Sequence, residues 1–99
     1  MNINEIRDND TVTLQVEGRV DTNTSPQLQE SILKGFQKAN NLVLDFEKCA
    51  YLSSAGLRAL LIGQKTAASK KGSMVLVNVP QVLMSVFKVT GFANILNIQ

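Results

Sequence analysis

An α/β fold is predicted, with a mixed, largely parallel β-sheet, an N-terminal β-hairpin and helices packed against the sheet. Three features of the sequence carry that expectation. Strand-like apolar stretches alternate along the chain with stretches whose apolar residues recur every three or four positions. Two of the strand-like stretches, Leu42–Leu44 and Met74–Val77, are continuous apolar runs of the kind found in buried parallel strands. Two helical patterns open on a proline, Pro26 and Pro80, whose missing N–H costs nothing in a first helical turn. Parallel neighbours of this kind are joined by right-handed crossovers.

The elements follow in chain order. Asn2–Arg7 reads as a strand, and Asn9 with Asp10 as the turn that leads into Thr11–Glu17, where Val12, Leu14 and Val16 alternate with polar residues. A polar stretch, Asp21 to Ser25, precedes the first helix, with Ser25 as its N-cap and Leu28, Ile32, Phe36 and Ala39 as its apolar stripe. Asn40 and Asn41 end that helix. Leu42–Leu44 is then expected to be a central parallel strand covered on both faces. A second helix spans about Ser54 to Lys70, with Leu57, Leu60, Leu61, Gln64 and Ala68 on one side, Arg58 and Lys65 on another, and Gly72 as its stop. Met74–Val77 is another buried strand. Pro80 opens a third helix carrying Leu83, Val86 and Phe87, Gly91 closes it, and Ile95, Leu96 and Ile98 form a last strand.

Composition narrows the chemistry. At 99 residues, 44% hydrophobic and 18% charged, the chain is expected to form one globular domain, residues 1–99, around one core. There is no histidine, which removes Ser/His/Asp and Cys/His nucleophile systems and nearly every zinc site, and an enzyme is not expected. The single cysteine, Cys49, has no partner for an internal disulfide and reads as a small packing residue. The N-terminus has no basic and apolar signal segment, and no apolar run is long enough to span a bilayer. A cytoplasmic protein with no direct membrane insertion is expected. All eight acidic residues lie in residues 1–47 with four of the ten basic ones, whereas residues 48–99 hold six basic and no acidic residues. This asymmetry reads as two solvated surfaces, with Lys65, Lys70 and Lys71 as solvating charges. With no tryptophan, one tyrosine and no arginine cluster, nucleic acid is not expected as a partner. Neither a metal site nor a nucleotide loop has a motif behind it.

The most informative segment is Asp45 to Leu61, DFEKCAYLSSAGLRALL, which leads from a buried strand into a helix through Ser53, Ser54, Ala55 and Gly56. Either serine can accept a hydrogen bond from a free N–H of the first helical turn. Four small residues in succession also leave a hydroxyl uncovered and let a large partner approach the backbone.

This block, with GRVDTNTSPQL upstream and VNVPQVLMSVFKVTGFANIL downstream, resembles the STAS domain of bacterial anti-sigma factor antagonists, over about Thr11 to Ile98. The family's phosphoacceptor serine stands two residues before a glycine in the pattern Asp-Ser-Ser/Thr-Gly-Leu. Aligned on Gly56 and Leu57, that position is Ser54, with Ser53 as the fallback acceptor. Ser53 replaces the usual aspartate, and Ala55 the second hydroxyl. The resemblance implies a partner switch in transcription regulation. The unphosphorylated protein binds an anti-sigma factor that is also a serine kinase and so releases the sigma factor. Phosphorylation of Ser54 ends that binding, and a metal-dependent serine phosphatase restores it. ATP and magnesium belong to the kinase, so no cofactor is expected on this chain, which is expected to be a monomer or weak dimer. Asp21 matches the aspartate of the family's Gly-x-x-Asp turn, either shaping the kinase-binding surface or orienting the serine, or else only opening a turn. Thr22 and Asn23 share that surface, and Arg58 can pair with an acidic group of the partner; Ala55, Gly56 and Leu57 complete the expected contact set. The alternative reading is a STAS subunit that scaffolds a membrane lipid-transport complex, which can dispense with a phosphorylatable serine.

Overall fold

A computed structural model describes all residues, Met1–Gln99. Six strands and three helices follow in the order β1 (Asn2–Asp8), β2 (Thr11–Val20), α1 (Ser25–Lys38), β3 (Asn41–Asp45), β4 (Cys49–Leu52), α2 (Ser54–Lys70), β5 (Ser73–Val77), α3 (Gln81–Thr90) and β6 (Asn97–Ile98), with a short 3-10 turn at Phe92–Asn94. The sheet runs β1-β2-β3-β5-β6, antiparallel between β1 and β2 and parallel elsewhere, and the mixed α/β fold is as the sequence predicts.

β4 lies outside the sequence expectation and decides where the site sits. Residues Thr11–Gln15 of β2 pair with β3, whereas Gly18–Val20 of the same strand pair with β4. The edge of β2 thus changes partner between Gln15 and Gly18, and within the β4 pairing the register shifts between Gly18 and Arg19, where Gly18 takes φ +93. The consequence is that Leu52 at the end of β4 lies opposite Val20 at the end of β2, so the chain enters α1 and α2 from neighbouring strand ends.

The expectation that β3 and β5 are covered on both faces is corrected. Both alternate half-buried and buried residues, because the helices cover one face only. That face carries Val12, Leu14, Val16, Leu42, Leu44, Met74 and Leu76, packed against Leu28, Ile32 and Phe36 of α1, Leu57 and Leu60 of α2, and Leu83 and Phe87 of α3. On the opposite face Ile6, Thr13, Val43, Val75 and Asn97 form a row across five strands, in register, with Ile6 and Asn97 exposed and the middle three half-buried.

Helix ends also depart from the sequence reading. The N-cap of α1 is Thr24, not Ser25, which is the first helical residue and buried, because the turn ahead of the helix is closed by the Ser25 N–H on the Asp21 carbonyl. The left-handed residue after α2 is Lys71, not Gly72. Glycine is needed at 72 for a different reason: a Cβ there would stand 1.9 Å from the Asn40 carbonyl oxygen. The buried stripe of α2 is Gly56, Leu57, Ala59, Leu60, Gly63 and Ala67, while Gln64 is half-buried and Ala68 exposed. Ile95 and Leu96 both precede the last strand, Ile95 exposed and Leu96 buried. Lys70 does more than solvate. Its ammonium donates to the carbonyls of Phe36 and, at 3.1 Å, Ala39, so a residue of α2 caps the C-terminus of α1.

Candidate functional site

Two short segments meet at the C-terminal ends of β2 and β4. In the first, Asp21 to Ser25, the Asp21 carboxylate accepts the N–H of Asn23 at 2.9 Å and of Thr24 at 3.0 Å. Thr24 Oγ1 in turn accepts the Asp21 N–H at 2.8 Å and donates to the Arg19 carbonyl at 3.0 Å. The bond from the Thr24 backbone N–H, with that residue's hydroxyl, the Asn23 N–H and the nearby Arg19 charge, holds the Asp21 carboxyl below its ordinary pKa. Asp21 is therefore occupied in its own turn, and its carboxylate makes no bond to Ser53 or Ser54.

In the second segment the Ser53 N–H donates to the Val20 carbonyl at 2.8 Å, which ties the start of α2 to the end of β2. Ser53 has extended backbone, and its Oγ accepts the Gly56 N–H at 3.2 Å, so Ser53 is the N-cap. Ser54 is the first helical residue, is exposed, and its hydroxyl makes no hydrogen bond within the protein. Gly56 turns inward, where a Cβ would stand 2.5 Å from Leu52 Cδ1 and 3.0 Å from Val20 Cγ1, so glycine lets α2 start hard against β2 and β4.

The sequence-derived site residues thus separate by exposure. Thr22, Asn23, Ser54 and Arg58 are exposed, Asp21, Ser53 and Ala55 are half-buried, and Gly56 and Leu57 face the core. The structure also places Arg19 over the Tyr51 ring, 4.3 Å from its centroid, on the paired ends of β2 and β4. Sequence reasoning missed this pair because β4 is only four residues long and its burial does not alternate. Cys49, at the start of β4, is buried, and burial pushes its thiol pKa up. No helix is long and apolar enough to cross a membrane.

Residues 3–97 match the family described as Mlab, STAS domain. The chain belongs to the STAS domain family of anti-sigma factor antagonists. Among relatives of this STAS domain, the anti-sigma-B factor antagonist of Bacillus subtilis is 26% identical over 100 residues, covering 99% of this chain and 92% of the relative. An anti-sigma factor antagonist from Mycobacterium paratuberculosis superposes with a TM-score of 0.85 at 19% identity, covering 98% of this chain and 83% of that one. The Bacillus protein SpoIIAA superposes in its unphosphorylated form with a TM-score of 0.78 at 18% identity, covering 99% of this chain and 87% of that one. Its phosphorylated form gives 0.77 at 19% identity, covering 99% and 91%. Each of these three proteins is described as an anti-sigma factor antagonist.

Proposed function

We propose that this STAS domain is a phosphorylation-controlled anti-sigma factor antagonist, acting in the cytoplasm, with Ser54 as the switch. The observation that carries this reading is the division of labour between two adjacent serines: Ser53 holds the helix cap, and Ser54 presents an exposed, unengaged hydroxyl. A partner kinase holding ATP and magnesium transfers the γ-phosphoryl group to Ser54 Oγ, with ADP and the hydroxyl proton as the other products. A serine phosphatase hydrolyses the ester and restores the binding form. Phosphate adds about −1.5 to −2 charge. At a helix N-terminus that charge is favoured by about 0.3–1 kcal/mol, so the domain stays folded and the switch acts on the interface. A loss of about 2.7 kcal/mol there weakens binding a hundredfold.

The experiment is mass spectrometry of the protein isolated from its own cells, with pull-downs on Ser54→Ala and Ser54→Asp. Phosphate on Ser54, with a kinase-like protein held by the alanine variant and lost from the aspartate variant, is the expected outcome. A second reading, a scaffold subunit of a membrane transport complex, is favoured by Ser53 and Ala55 standing where the family's aspartate and second hydroxyl usually stand. It requires an unmodified Ser54 peptide under all growth conditions and a transporter subunit retained equally by both variants.

A further inference from the structure

An open groove of about 510 Å³ runs between α1 and α2 from the Ser54 end of the molecule. Gln29, Leu33 and Gln37 of α1 line one side, and Ala55 and Arg58 of α2 line the other. The three α1 residues are spaced four apart and form one ridge about 12 Å long. Leu33 stands outside the buried stripe of α1 and is half-buried in the groove wall. With no aromatic side chain and an open, shallow shape, the groove lacks the enclosure of a small-molecule site. Its shape, two helical ridges flanking a shallow channel with one leucine in the wall, fits a third helix.

At one end of the groove Arg58 has no ion-pair partner. Glu30 and Lys34 on the rim neutralise one another at 2.8 Å, whereas Arg58 is exposed and forms no ion pair. Neither α1 nor α2 has an acidic residue in its first turn to offset the positive end of its dipole. Arg58 also lies four residues after Ser54, the spacing at which helical side chains meet.

We infer that the α1–α2 groove receives a helix of the partner protein, with a carboxylate of that helix on Arg58, and that phosphate on Ser54 releases the partner by taking the Arg58 guanidinium from that carboxylate. The inference rests on Ser54 being the modified residue. It adds the ridge Gln29, Leu33 and Gln37 to the interface and gives Arg58 two alternative counter-ions, both suited to a guanidinium fork.

Two measurements test it. In the first, the protein carrying phosphoserine at 54 is titrated by phosphorus NMR beside the same protein with Arg58→Gln. The phosphate's second pKa, ordinarily about 6, is expected to lie a few tenths of a unit lower with Arg58 present. Coincident titration curves overturn the pairing. In the second, the kinase-like protein held by Ser54→Ala is purified, and its Kd is measured for the wild type, Arg58→Glu, Leu33→Asp and Ser54→Asp, each checked by thermal melt. Arg58→Glu and Leu33→Asp are each expected to weaken binding about tenfold or more. Wild-type affinity in both, with Ser54→Asp still unable to bind, overturns the groove and leaves the switch standing. Wild-type affinity in Ser54→Asp overturns the switch itself, and with it the phosphate's part in this inference.

Discussion

Ser53 and Ser54 differ by one residue along the chain and by everything in their surroundings. Ser53 Oγ satisfies the Gly56 N–H, and Ser54 Oγ satisfies nothing. Ser53→Ala is therefore expected to cost about 1 kcal/mol in urea denaturation, whereas Ser54→Ala stays within about 0.5 kcal/mol of the wild type. Equal costs would show that the cap is shared. The same reasoning separates Gly56, whose nearest obstacles are the Leu52 and Val20 side chains, from Gly72. At Gly72 the obstacle is the Asn40 backbone rather than a flexible side-chain end, so relief requires the chain itself to move. Gly72→Ala is expected to lose about 2–3 kcal/mol, read as a lower urea midpoint at unchanged slope.

Among the elements, α1 and α2 are joined by a bond that neither helix's own sequence reveals. The four carbonyls at a helix end need partners, and here Lys70 reaches across from α2 to two of those on α1 while its charge meets the negative end of the α1 dipole. The stem of the same side chain brings the ammonium over the Phe36 ring, 5.6 Å from its centroid. Lys70→Met keeps much of the stem and removes the charged donor, and is expected to destabilise by about 1 kcal/mol, whereas Lys65→Met is close to neutral. A Lys70→Met protein as stable as the wild type would mean that water replaces the ammonium without loss. β4 is the other element with consequences beyond its length. Without its pairing to Gly18–Val20, the start of α2 would have no hydrogen bond to the end of β2, and the two halves of the site would be unrelated.

For the whole molecule, charge and acid stability are linked. Asp10 accepts the Asn40 backbone N–H at 2.9 Å and its side-chain amide at 3.0 Å, joining the β1–β2 turn to the start of β3. Those bonds, the backbone one first, hold its carboxyl below the ordinary 3.8, as the Thr24 backbone N–H does most strongly for Asp21. A carboxyl whose folded pKa is depressed contributes its stability above the unfolded value and loses it as pH falls through the folded value. Unfolding midpoints are therefore expected to be flat above about pH 5 and to fall below pH 3.8, with a shallower acid slope in the Asp10→Asn, Asp21→Asn double variant. An unchanged slope would assign the acid sensitivity to general charge repulsion, since every acidic residue lies in residues 1–47 and its loss leaves all ten basic residues unopposed.

The sequence by itself determined the alternation of strands and helices, the parallel centre of the sheet and the small-residue entry to α2, because period, proline position and residue size act locally. Val12, Leu14 and Val16 show their buried face without reference to any partner, and so do Leu28, Ile32 and Phe36. Even the uncovered face of β3 was hidden, because Val43 is apolar although only half-buried. Tertiary structure alone decided that Cys49–Leu52 is a strand, since its pairing comes from the outer end of β2 and its four residues carry no period. It alone decided that Ser53 rather than Ser54 holds the cap, a difference of backbone conformation between two identical residues. It also brought Gln29 and Leu33 beside Arg58, because which faces of two helices meet is fixed by the sheet beneath them and by no spacing within either helix.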